Sequence, residues 1–104
     1  MKKFALLALL GFAGMSFAIS SKAEAEAFIK KNGCIACHDF NVKKIGPSFK
    51  DVAAKYKGQA GAVDKLVEKV KKGGSGVWGS TPMPPQAVPA DQERAFIEWI
   101  LNNL

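Results

Sequence analysis

The sequence is poor in reactive side chains: 104 residues hold two cysteines and a single histidine. All three fall within Cys34-Ile35-Ala36-Cys37-His38. No second Cys or His pair stands elsewhere, so a structural zinc site, which takes four ligands, would need carboxylates to complete it. No run alternates apolar and polar residues, so no sheet is expected, nor the strand-helix-strand setting of a thioredoxin-like dithiol. There is no internal repeat and no low-complexity tract.

The N-terminal stretch reads as an address and not as part of a fold. Lys2 and Lys3 precede an uncharged apolar run from Phe4 to about Gly14, and small residues follow at Ser16 and Ala18. This is the layout of a secretory signal cleaved after Ala18. The uncharged stretch is broken by Gly11, Gly14 and Ser16, whereas a spanning helix wants about 20 mostly apolar residues. No cysteine follows it to take a lipid anchor. The expected organisation is a signal peptide over 1–18 and one domain over 19–104, exported to the periplasm. Of 15 basic residues Lys2 and Lys3 depart, leaving 13 against 9 acidic ones and a mature charge of +4. A domain this small commonly needs a staple such as a disulfide, metal or cofactor. Two free thiols in an oxidising compartment are liable to pair unless already committed.

Four helices are expected in the remainder. Ser21-Lys22-Ala23-Glu24 is a capping box opening a helix over Lys22 to Lys31, which Gly33 ends. Ser48-Phe49-Lys50-Asp51 opens a second to about Tyr56. Val63, Leu66, Val67 and Val70 recur at helical spacing between Gly61 and Gly73. Phe96, Trp99, Ile100 and Leu104 form the apolar stripe of a last helix over Asp91 to Leu104, with Phe28, Phe96 and Trp99 expected to meet where the first and last helices cross. Between the third and fourth lies "GGSGVWGSTPMPPQAVP", dense in glycine and proline and expected to be structureless. A connection of that length usually has a functional reason.

Four chemistries are open to Cys34 and Cys37: a zinc site, a thioredoxin-like dithiol, a plain disulfide, and covalent haem attachment. C-x-x-C-H is the local signature of the last. Thiols three residues apart on one helical turn project to one side and can each add to a vinyl group of one porphyrin, while His38 supplies an axial imidazole. Once the signal is gone, Met83 is the one thioether, held between Pro82 and Pro84-Pro85. With no second histidine, the other axial ligand of a six-coordinate haem is Met83 or a lysine. His/Met is the standard ligation and raises the reduction potential.

In this order Cys34, Cys37, His38, Gly46-Pro47, "GVWGSTPMPP" and an amphipathic C-terminal helix resemble the short bacterial class I cytochromes c of the c-551 type, over essentially residues 20 to 104. The resemblance implies an all-α fold of about four helices wrapped around one covalently attached haem c. It implies that the Pro47 carbonyl accepts the His38 ring N–H, and that Trp78 donates its indole N–H to a haem propionate. Lys69 stands where relatives often carry an arginine near a propionate; Gln86 stands where some place an asparagine beside the methionine sulfur.

The expected function is a single-haem electron carrier between respiratory redox proteins, with no enzymatic activity, because two protein ligands leave no open position for a substrate. A haem enzyme or gas sensor with a displaceable Met83 is the other class. Lysines 43, 44, 50, 55, 57, 65, 69, 71 and 72 suit an acidic docking surface on a donor or acceptor. Nucleic-acid binding is not expected of an exported chain, and a mobile carrier is expected to be a monomer.

Overall fold

A computed structural model describes residues 17–104. The expected signal peptide lies, apart from Phe17 and Ala18, outside the described residues. Four α-helices and one short 3₁₀ turn follow: α1 Lys22–Lys31, the turn Cys34–Ala36, α2 Phe49–Tyr56, α3 Ala62–Lys72 and α4 Ala90–Asn103.

Helix α1 starts because Ser21 is extended and its hydroxyl accepts from the Glu24 backbone N–H at 3.2 Å. Glu24 reaches back one residue further than a capping box requires. Its Oε1 accepts from the Ser20 backbone N–H at 2.9 Å and the Ser20 hydroxyl at 2.7 Å. These bonds, the Ser20 hydroxyl first, hold the Glu24 carboxyl below its usual range. At the other end Gly33 takes the left-handed conformation, φ 75°, that turns the chain into the Cys34–Ala36 turn.

Helix α2 begins at Ser48, whose buried hydroxyl accepts from the Asp51 N–H at 3.1 Å. Helix α4 begins one residue earlier than its apolar stripe suggests, at Ala90, with Pro89 at the N-cap. It ends at Asn103, one residue short of Leu104. Pro89 suits the cap because its missing N–H would have no helical partner there.

The core is an aromatic cluster. Phe28 of α1 stacks on Phe96 of α4 at 4.7 Å between ring centroids, and Phe49 of α2 meets Phe96 edge-on at 5.1 Å. Trp99, expected beside Phe28, packs edge-on against Phe40 at 6.0 Å instead. Phe40 belongs to the loop after His38, so the loop is anchored in the core by its own side chain. Among the described residues no helix is long and apolar enough to cross a membrane.

The connection between α3 and α4 departs from the sequence expectation. Gly74 and Met83 exchange backbone hydrogen bonds in both directions, each at 2.9 Å, as an isolated antiparallel bridge. Within that clip the Gly76 N–H donates to the Gly79 carbonyl at 2.8 Å. The Gln86 N–H then donates to the Val70 carbonyl at 3.0 Å, tying the exit of the loop to α3. A single bridge has no period along the chain, which is why the composition of this segment reads as a plain loop.

Candidate cofactor site

The Cys-x-x-Cys-His segment is wound into one turn by its own backbone. The N–H groups of Cys37 and His38 both donate to the Cys34 carbonyl, at 3.1 and 2.9 Å. Cys34 and Cys37 are unpaired and half-buried. Burial pushes the Cys34 thiol up, and the Glu93 carboxylate adds to the effect. A catalytic dithiol needs the opposite shift, since the thiolate is its nucleophile. Among the described residues no three His, Cys, Asp or Glu side chains come together as a metal site.

The loop after His38 is closed onto the turn. The Gly46 N–H donates to the Cys37 carbonyl at 2.8 Å, and the Lys44 ammonium donates to the Ile35 carbonyl at 2.7 Å. Asp39 organises the start of the loop by accepting from the Asn41 and Val42 N–H groups at 3.0 and 3.1 Å, which holds its carboxyl below the usual range. The result delivers Pro47 to His38. The His38 Nδ1 lies 2.7 Å from the Pro47 carbonyl oxygen. That oxygen can only accept, so Nδ1 carries the hydrogen, and in the neutral ring the lone pair is on Nε2. The imidazole stacks on Phe49 at 5.0 Å. Gly46 also lies against the ring: an added Cβ there would stand 2.6 Å from the ring Cε1. Glycine is needed there to let the ring lie in this orientation.

Met83 is half-buried, its backbone clipped to Gly74. Gly73 is also close-packed: a Cβ there would overlap the Met83 carbonyl oxygen, and its φ is 72°. The sulfur therefore projects from a segment held at both polar backbone atoms and flanked by prolines. Trp78 is exposed, with the Lys55 ammonium 5.8 Å from its ring. Lys69 is half-buried beside Gly74, where a Cβ would meet its ammonium at 3.1 Å. The Gln86 side chain donates to the Pro84 carbonyl at 2.9 Å, so this residue stiffens the methionine loop from within. Around the turn and both loops, Ile35, Val42, Ile45, Val77 and Trp78 present large apolar surfaces outward. A separate cavity of about 640 Å³ lies between the α2–α3 connection and the end of α4, and includes none of these residues.

These residues suit a porphyrin. They supply two thiols on one turn, an imidazole oriented by the Pro47 carbonyl, a thioether on a clipped backbone segment, and exposed apolar side chains nearby on the turn and loops. Helices closing around such a turn define the class of small all-α haem proteins.

The comparisons agree. The family model for cytochrome c matches residues 23–103. Cytochrome c-552 of Hydrogenobacter thermophilus is 52% identical over 102 residues, covering 98% of each chain. Cytochrome c-551 of Pseudomonas aeruginosa is 47% identical over 103 residues, again covering 98% of each. The crystal structure of Nitrosomonas europaea cytochrome c552 superposes with a TM-score of 0.70 at 47% identity, covering 73% of this chain and 95% of that one. The chain belongs to the cytochrome c family, with the small class I fold and one covalently attached haem c. It is thereby placed among haem electron carriers.

Proposed function

We propose that the chain is a periplasmic one-electron carrier of a respiratory chain, exported by a signal peptide over 1–18 and folded as one domain over 19–104. Cys34 and Cys37 hold the haem through thioether bonds, and His38 Nε2 and the Met83 sulfur ligate its iron. The observation that carries the reading is the clip between Gly74 and Met83. It supports a second protein ligand offered from a stiff segment, which suits a saturated centre that passes electrons and binds no substrate. When bound, the haem supplies a metal that changes by one electron.

The protein's own residues set the conditions for that change. Pro47 holds the His38 tautomer and strengthens the ligand. Trp78 is assigned to a propionate through its indole N–H, and Lys69 to the charge of the same region. A rigid ligand on each side keeps rearrangement between oxidation states small.

The visible spectrum tests this directly. The oxidised protein should show the weak band near the red end that marks sulfur ligation, and carbon monoxide should leave the reduced spectrum unchanged. Prompt carbon monoxide binding at neutral pH would instead favour a haem enzyme or gas sensor with a displaceable Met83.

Docking is assigned to the lysines that stand by exposed apolar groups, Lys44 at Ile35 and Lys55 over Trp78. A basic rim around apolar groups fits an acidic redox partner met briefly by a monomer. Lowering the ionic strength should speed electron exchange with such a partner, because the Debye length grows from about 8 Å at physiological salt to about 30 Å at 0.01 M. A rate indifferent to salt would remove the steering.

A further inference from the structure

One buried carboxyl has no part in the electron-carrier reading. Glu93, in the first turn of α4, is 3% exposed, and its Oε1 is without a hydrogen-bond partner among the described residues. It lies three residues before Phe96, on the face of α4 that enters the aromatic core. Cys34 packs against the same core from the 3₁₀ turn and lies within electrostatic reach of Glu93.

The charges that face Glu93 come from two elements. Helix α3 contributes Lys71 and Glu68, and α4 itself contributes Arg94. Arg94 is bound to Asp64 at 2.6 Å, and Glu68 is paired with Lys72 at 3.4 Å. The residues that α1 and α2 bury in the core, Phe28, Ile29, Phe49 and Val52 among them, are apolar and add no charge there. Burial pushes the Glu93 carboxyl above its ordinary value, with Lys71 and then Arg94 opposing the shift.

We propose that Glu93 is a redox-linked proton site, binding a proton more tightly when the haem held at Cys34 is ferrous than when it is ferric. This rests on the attachment assigned above. Oxidation transfers one electron from iron to the partner acceptor and leaves one more positive charge on the centre. An added positive charge nearby favours the carboxylate, so Glu93 gives up part of a proton to solvent in the same event. Reciprocity then requires that ionising Glu93 favours the ferric form. The reduction potential therefore falls as pH rises through the Glu93 window, which lies above the ordinary 4.5.

The same shift acts on stability, with a definite sign. A carboxyl raised on folding stabilises the native state fully below its unfolded value and loses that contribution as pH rises through its folded value. The Glu93→Gln protein should keep stability across that range, where the unsubstituted protein weakens.

The test is the reduction potential of the haem-loaded protein against pH, for the native chain, Glu93→Gln and Lys71→Gln. The native reduction equilibrium constant should change by about fivefold or more across the window. Glu93→Gln should abolish the change, and Lys71→Gln should move the window to higher pH. A redox difference infrared spectrum should show a protonated carboxyl band in the ferrous native protein that Glu93→Gln removes. A flat native profile, an unaltered slope in Glu93→Gln, or no carboxyl band in the native spectrum overturns the proposal. The red sulfur band separates this from failure of the ligation reading, since Glu93→Gln should retain it.

Discussion

Met83→Ala should leave the haem attached, abolish the red sulfur band, let carbon monoxide bind the reduced protein promptly, and lower the reduction potential. The expected fall is roughly 0.1 to 0.2 V, part of the ~0.8 V over which axial ligands set haem potentials. The reasoning runs through the loop. Met83 is fixed by its exchange of hydrogen bonds with Gly74, and Gln86 ties the exit of the loop to α3 through Val70. None of these bonds uses the methionine side chain, so the backbone should stay in place when the thioether is removed. The Cys34–Ala36 turn and its bonds to Gly46 and Lys44 are also untouched. A soft sulfur ligand favours ferrous iron, so its loss lowers the potential, and the freed position is open to small ligands. Potentiometric titration and carbon monoxide difference spectra check both effects. An unaltered potential and a closed iron in Met83→Ala would remove Met83 from the ligand set.

Cys34→Ala combined with Cys37→Ala should abolish covalent attachment and leave the chain largely unfolded. The four helices span only 8 to 14 residues each. Isolated helices below about 12 to 15 residues are marginal in water, so these depend on tertiary packing. The packing available is one aromatic cluster around Phe96. Net stability of a domain is only about 5–15 kcal/mol, a small difference between large terms, and losing a covalently held cofactor exceeds what that cluster can replace. Circular dichroism and the haem content of the purified protein give the readout. A stably folded, colourless double variant would show that the protein core suffices without its cofactor.

Much of the fold was legible in the chain itself. The capping serines at 21 and 48 and the glycines at 33, 61 and 73 are local signals, and the helices begin and end within a residue or so of them. The Phe28–Phe96 contact followed from the apolar stripes of two helices. Trp99 was misplaced because its partner, Phe40, lies in a loop without periodicity, and loop side chains reach the core by a path that spacing does not reveal. The Gly74–Met83 bridge escaped for a similar reason. It is one pair of residues nine apart, held because Pro82 and Pro84 stiffen one side and glycines turn the other.

The candidate site divides in the same way. Cys34, Cys37, His38 and Met83 could be singled out because such side chains are scarce here, and scarcity is a property of sequence. Lys44 on the Ile35 carbonyl, Gly46 against the imidazole and Lys55 over Trp78 could not be found that way, since each joins segments distant along the chain. Glu93 gave the weakest signal of all. In sequence it was one of two acidic residues at the positive end of a helix, where exposed carboxylates are common.

What the sequence by itself determined is the set of short-range facts: which segments are helical, where each stops, and that a Cys-x-x-Cys-His turn stands upstream of one proline-flanked methionine. Only the tertiary structure decided which imidazole nitrogen is free, through the Pro47 carbonyl, and which carboxyl lies in the core near Cys34. The reason is physical. Caps and helical periods act over three or four residues, whereas tautomer and burial depend on groups brought together by the packing of the whole chain.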